Sequence, residues 1–328
     1  MVVWPKIVES FPLTVQQVFS RYTRIPDDAS DIFYHYTSHA GLEGILESGG
    51  LRATYRMRMN DVGEFDYARN VVYGALNEMA RRRDLSRVAY SLIRCTRKNL
   101  YKLLNNTSEL SSAYCACLTV SSDDAKQWES YAEFGSGFAI GLDMSLFLNM
   151  QIPAVKRGEP FVFCAPVIYD QHAQCNLVWH LIEAGICDIQ TFTTTHSRKP
   201  QHLAAIQDRV TEEIVAQLLA LIDFIKAPIY NSEREIRLIV DPNDGTLRAP
   251  KIQYYKRDDE LVPFIFMDLR NSKTKRLPLA EIKIGPKSSF PEEEAFLEGL
   301  FNKLGYNRNS MDRPRITQAS MVMGEGCT

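Results

Sequence analysis

The chain has 328 residues, 45% of them hydrophobic and 24% charged, with a formal net charge of −2. That length and balance belong to a folded globular protein and exclude a disordered or fibrous one. The near-neutral charge excludes a global attraction to nucleic acid or membrane, so any affinity for a polyanion has to be local.

Residues 1–30 read as an irregular extension with one short amphipathic stretch at 15–19, ending at the turn Pro26-Asp27-Asp28. The start Met1-Val2-Val3-Trp4-Pro5-Lys6 lacks the charged and apolar regions of a signal peptide, which predicts a cytoplasmic protein. Ile32-Phe33-Tyr34-His35-Tyr36-Thr37 reads as a short aromatic strand carrying one histidine. Ser38 then caps a helix that turns Leu42, Ile45 and Leu46 inward and stops at Gly49-Gly50. A strand from Arg52 runs into a polar turn at Asn60-Asp61, and two amphipathic helices follow. The first has Phe65, Ala68, Val72, Ala75, Leu76 and Met79 at helical spacing, the second Val88, Leu92, Cys95 or Thr96, and Leu100. Between Arg52 and Lys102 twelve Lys or Arg stand against five Asp or Glu, Arg81-Arg82-Arg83 among them. This is either a solvated helix face or a surface for a phosphate-bearing target.

The pattern switches to a strand over 113–120, on which Cys115 and Cys117 share a face. Seven cysteines with no Cys-x-x-Cys read as reduced thiols, and this pair as buried packing. Ser122-Asp123-Asp124 caps a helix carrying Trp128 and Tyr131 that ends at Gly135-Ser136-Gly137, before an apolar strand at 138–143. A strand at 161–169 and helices at 176–186 and 200–226 come next. The apolar part of the last, 214–225, is interrupted by Gln217 and Asp223 and is too short to cross a bilayer, so no membrane partner is expected. Strands follow at 235–240, 252–255, 264–269 and 281–284. A final helix is marked by Ser289, Pro291, Glu292 to Glu294, and Gly305. Strands scattered among unequal helices, without regular βαβ alternation, predict an α+β fold.

Four clusters carry chemistry that packing does not demand: Tyr34-His35-Tyr36-Thr37, Asn60-Asp61 with Glu64, Trp128-x-x-Tyr131, and Lys226 with Ser232-Glu233-Arg234-Glu235-x-Arg237. The strand with its histidine and the helix after it resemble the opening of ADP-ribosyltransferase folds. Asn60-Asp61-Val62-Gly63-Glu64-Phe65, Trp128-Glu129-Ser130-Tyr131-Ala132-x-x-x-x-Gly137 and Glu233-Arg234-Glu235-Ile236-Arg237, in that order, resemble the bacterial domain family of unknown function DUF2971. Val62-Gly63 departs from that family's usual proline and aromatic.

The resemblance implies an ADP-ribosyltransferase-like split mixed β-sheet with flanking helices. It is read as a single domain at 31–328 after the extension, with helical insertions at about 64–105 and 173–226. It implies NAD as substrate, held by His35 at a ribose hydroxyl, by the Tyr36 and Thr37 backbone at the nicotinamide amide, and by Asn60, Trp128, Tyr131 and Arg237 around the pocket. Breaking the nicotinamide–ribose bond develops positive charge on the sugar, so a carboxylate beside it stabilises the transition state more than the ground state. Glu235 is the candidate for that role, and in enzymes with a similar Glu-x-Glu pair the first glutamate, here Glu233, orients the acceptor. The bland alternatives are a surface strand with an internal Glu–Arg pair, a strand histidine satisfied by a carbonyl, and a Trp–Tyr helix face that is core. The remaining histidines lack ligand spacing, and no metal is expected.

The expectation is therefore an ADP-ribosyltransferase of a bacterial or phage toxin or antiphage defence system. It would act on a macromolecular acceptor, nucleic acid or protein. An NAD glycohydrolase in the same pocket and a non-catalytic nucleotide- or nucleic-acid-binding module are the alternatives.

Overall fold

A computed structural model describes residues 5–22, 25, 31–59, 63–105, 113–145, 162–240, 251–271, 274–306 and 313–320. In chain order the first half holds α1 (Lys6–Glu9), α2 (Val15–Tyr22), β1 (Ile32–Thr37), α3 (His39–Ser48), β2 (Gly50–Tyr55), α4 (Gly63–Arg81), α5 (Arg87–Asn105), β3 (Tyr114–Thr119), α6 (Ala125–Tyr131) and β4 (Phe138–Asp143). The second half holds β5 (Val162–Pro166), α7 (Gln171–Thr195), α8 (Pro200–Ile222), β6 (Glu235–Val240), β7 (Ile252–Arg257), β8 (Glu260–Asp268), β9 (Leu279–Ile284), α9 (Phe290–Lys303) and β10 (Arg315–Gln318). The fold is α+β. The chain divides into two compact units, one of Met1–Arg24, Asn60–Ser112 and Val167–Tyr230, the other of Ile25–Met59, Ala113–Pro166 and Asn231–Thr328. Residues 1–24 of the stretch read as an extension and both helical insertions thus fall in the first unit.

That unit is helical, and its core follows from the periodicity of its helices. Phe65, Ala68, Val72, Ala75, Leu76 and Met79 of α4 are all buried, as are Leu92, Thr96 and Leu100 of α5. The first residues of the chain join this core through Val8, Phe11, Leu13 and Val15. The helix expected at 176–186 runs much further in both directions. Asp170 caps its start by accepting the Ala173 N–H at 2.7 Å. Beyond Ile186 the apolar pattern fails at Asp188 and in the threonine run, but both are accommodated. The Asp188 carboxylate, almost fully buried, accepts the Thr14 N–H and hydroxyl and the Val15 N–H, which caps α2 from outside. Thr193, Thr194 and Thr195 return their hydroxyls to carbonyls one turn back. Among the described residues no helix is long and apolar enough to cross a membrane.

The second unit is built on a ten-stranded, mostly antiparallel open sheet in the order β10-β9-β4-β1-β3-β2-β8-β7, with β6 and β5 branching from β3. Among the described residues only β10 and β9 form a parallel pair in a strand ladder. β6 pairs β3 along its whole length, Tyr114 with Val240 through Thr119 with Glu235. β1 and β2 must then share the other edge of β3: β1 meets it at Thr119, β2 at Cys115 and Tyr114. The sheet forks there. Alternation sorts the two faces. One carries Phe33, Leu118, Ile140 and Leu238 into an apolar core closed by α3 and α9. The other carries Tyr34, Tyr36, Cys117, Thr119, Glu235 and Arg237, with Trp128 of α6.

Local signals hold where α3 begins and ends. The Ser38 hydroxyl accepts the Gly41 N–H, and Gly49 closes the helix at φ 76°, a conformation that glycine adopts without strain. β10 was not expected from sequence, since Arg-Ile-Thr-Gln is short and lies at the exposed sheet edge.

The Asp188 cap yields a stability prediction. Asp188→Ala leaves the first N–H groups of α2 without a buried acceptor and should cost about 2 kcal/mol, read as a lowered urea midpoint by circular dichroism. Asp188→Asn should lose less. An unchanged midpoint would mean that water replaces the cap.

Candidate functional site

The polar face of the sheet is assembled at the start of β6. Arg234 adopts φ 44°, a left-handed conformation that a non-glycine residue holds only under constraint. It separates Glu233, in the preceding 3-10 turn, from Glu235, the first residue of the strand. The Glu233 carbonyl accepts the Thr119 hydroxyl at 2.8 Å and the Gln127 amide at 3.4 Å, which pins the turn to β3 and α6. Its carboxylate lies 3.9 Å from the Lys126 ammonium. Glu235 receives a two-pronged contact from Arg237, Nε to Oε1 at 2.8 Å and Nη2 to Oε2 at 3.1 Å. Arg237 is only 1% exposed, so this pair is a buried one. Beside it the Cys115 and Cys117 sulfurs sit 3.7 Å apart. The contact with Cys115, burial and the charge of Glu235 push the Cys117 thiol well above its ordinary range, which favours the protonated form.

His35 enters from β1. Register with Ile140 puts its ring on the face of Phe33, opposite to Glu235, but its Nδ1 lies 3.0 Å from the Cys117 carbonyl. A carbonyl only accepts, so Nδ1 carries the proton and donates. Burial lowers the pKa of the ring, which favours the neutral form with its lone pair on Nε2. Nε2 makes no hydrogen bond among the described residues. Thr37 is wedged between two glycines: a Cβ on Gly41 would lie 1.9 Å from its hydroxyl, and one on Gly137 would lie 2.3 Å from its carbonyl.

Two networks support this face. The Tyr36 hydroxyl donates to the Ser121 carbonyl and accepts the Asp124 N–H, and its ring meets Trp128 edge-on at 4.7 Å. Trp128 is fully buried and donates Nε1 to Asp123, whose other oxygen takes the Ser320 N–H and hydroxyl. Burial pushes the Asp123 carboxyl up, but the bonds from Trp128 and Ser320 outweigh it and hold it below the usual range. Tyr34 donates to Glu281, which also accepts the Thr317 hydroxyl. Burial, then Glu281, raises the Tyr34 phenol to about 12.

No family model, curated protein or solved structure matches the chain. The site therefore rests on its own geometry.

That geometry gathers Glu235 and Arg237 on one face with Tyr36 and Trp128, ties the Glu233 turn to Thr119 and Gln127, and brings His35 to the same stretch of β3 from the other face. Trp128 has no open ring face to offer a ligand. Tyr131 is 44% exposed at the end of α6. Asn60 lies outside the described residues. Glu64 and Lys226 belong to the helical unit, where they form a nearly buried pair at 3.7 Å with the ammonium over the Tyr230 ring. Among the described residues no three His, Cys, Asp or Glu side chains gather as a metal-ligand group. Lys126, Gln127 and Thr119 were missed in the sequence. The only signal for the first two was their place just after the Asp124 cap.

Removing one partner of a buried ion pair strands the other charge. Arg237→Met should cost about 3–5 kcal/mol, and the double variant Glu235→Gln/Arg237→Met distinctly less than the sum of the single changes. Additive losses in urea unfolding would place the pair in solvent.

His35 makes stability depend on pH. Its unfolded ring takes up a proton near the ordinary value of 6.5, while the folded ring resists until lower pH. Stability should therefore fall as pH drops through that window. His35→Asn, which keeps a donor near the Nδ1 position, should flatten this part of the profile. A profile identical to wild type would remove His35 as its source.

Proposed function

We propose that the chain is an NAD-dependent ADP-ribosyltransferase whose sheet unit cleaves the nicotinamide–ribose bond and passes ADP-ribose to a macromolecular acceptor. The observation that carries this reading is convergence on β3. His35, Glu233 and Glu235, drawn from distant parts of the sequence, meet the short stretch Cys117–Thr119 at the fork of the sheet. The fork opens the sheet where β1 and β2 part company on one edge of β3. The split sheet with its histidine and glutamate is what the sequence resemblance implies, and this reading takes it over as an analogy.

Each residue then has a physical role. The unprotonated Nε2 of His35 accepts a ribose hydroxyl. Glu235 is fixed in one rotamer by the fork of Arg237, so its negative charge stands in place before the sugar becomes an oxocarbenium and nothing has to reorganise as charge develops. The neutral nicotinamide leaves with the bonding pair. The acceptor attacks the same sugar carbon and gives its proton to Glu233, whose carboxylate faces the Lys126 ammonium at 3.9 Å.

The test is NAD cleavage and transfer of label from NAD to lysate, with samples then digested by protease or nuclease. Glu235→Gln should lower cleavage by on the order of 10² to 10³ with NAD binding little changed. Glu233→Gln should lose transfer and keep cleavage. Full turnover by both variants, or no NAD consumption by the wild-type chain, would overturn the assignment.

A further inference from the structure

The helical unit carries a feature that the catalytic reading does not use. α5 contains no acidic residue, and five cations lie along it: Arg87, Arg94, Arg97, Lys98 and Lys102. All five are exposed, and none makes an ion pair among the described residues. At the helical repeat they form one stripe about 22 Å long. Within that stripe stand Tyr90 and Tyr101, 54% and 62% exposed. The opposite face is apolar and buried through Leu92, Ile93, Thr96 and Leu100.

This arrangement opposes helix stability. Arg94 with Lys98, and Lys98 with Lys102, are like charges four residues apart, and Arg87 places a cation at the positive end of the helix dipole. An acidic residue at any of these positions would relieve the repulsion. Glu212 of α8 lines a groove beside Lys102 but forms no ion pair with it within 4.0 Å. Local rules broken without a structural gain mark a surface kept for a partner.

We infer that the exposed face of α5 binds single-stranded nucleic acid. The cations follow a phosphate backbone, and arginine, three of the five, matches phosphate geometry with paired N–H groups. Two exposed tyrosines among them give unpaired bases a flat face to stack on. A duplex offers no free base face. An anionic membrane would instead select Leu, Phe or Trp beside the cations, and the exposed side of α5 has none of these.

The test uses the full chain without NAD, so its outcome is independent of the transfer assay. Fluorescence anisotropy is measured with a labelled mixed-sequence 12-mer as RNA, the same 12-mer as DNA, and the corresponding DNA duplex. Phosphatidylserine–phosphatidylcholine vesicles form a separate arm. Single strands should bind with log affinity falling against log salt at a slope of about −3, since each phosphate contact adds about 0.7. Arg94→Gln/Lys98→Gln/Lys102→Gln should flatten that slope by about 2 and weaken binding at least about 10-fold, with the melting temperature unchanged or raised. Tyr90→Gln/Tyr101→Gln should weaken binding about 10-fold or more at an unchanged slope. Binding of RNA, of DNA or of both supports the inference and names the natural ligand. Absence of binding at low salt, a triple variant that binds like wild type, tighter binding of the duplex, or preference for vesicles would each overturn it.

Discussion

A β-strand has two hydrogen-bonding edges, and β3 serves three neighbours with them. β6 occupies one edge in full, so β1 and β2 divide the other and leave a gap between their contacts. The Cys117 carbonyl falls in that gap. A buried carbonyl without a donor costs as much as a lost hydrogen bond, and the ring of His35 supplies the donor. The chemistry of the ring follows from that one bond. Because the carbonyl can only accept, the proton sits on Nδ1, and because burial disfavours the charged ring, Nε2 keeps its lone pair. A backbone constraint in the sheet thus decides which way a side chain at the proposed site can hydrogen-bond.

The two faces of the sheet are built on different terms. One is apolar, with Phe33, Leu118, Ile140 and Leu238 filling a common core. The other buries Arg237 with Glu235, and Tyr34 with Glu281 and Thr317. A buried pair of charges is no more stabilising than apolar side chains of similar volume would be, since desolvation offsets its Coulomb attraction. Stability alone therefore does not account for Glu235 and Arg237. What the pair does provide is a carboxylate of fixed position and orientation, which a hydrophobic replacement cannot supply.

Much of the fold was legible from short-range signals. Ser38 and Gly49 bound α3 as their side-chain and backbone preferences require, and the apolar spacing in α4 and α5 picked out the residues that are buried. What escaped was set by tertiary partners. The second half of α7 reads as a break until Asp188 is seen capping α2, and β10 is recognisable only beside β9. At the site, the residue types were legible and their directions were not. Alternation on an ideal strand puts Glu233 and Glu235 on one face, and it puts His35 on the same face as the residue that β1 pairs with it in register, which is a matter of the partner strand. Neither the left-handed turn at Arg234 nor the forked edge of β3 has a local sequence signal, because Arg is not a residue that favours positive φ and register is a property of two strands together.

Arg234 also separates the electrostatics of the two glutamates. With regular strand geometry their carboxylates would stand side by side and repel. The turn sends one toward Lys126, a cation partly in water, and leaves the other gripped by Arg237 away from solvent. An ammonium is a point charge without a preferred direction, whereas a guanidinium grips a carboxylate through two parallel N–H groups. Two chemically identical buried groups two residues apart therefore face different countercharges, an ammonium at 3.9 Å and a two-pronged guanidinium at 2.8 Å. Different environments for paired carboxylates are the physical basis on which one of them takes a fixed electrostatic role and the other exchanges with an incoming group. The strained φ of Arg234 is the local expense of that division.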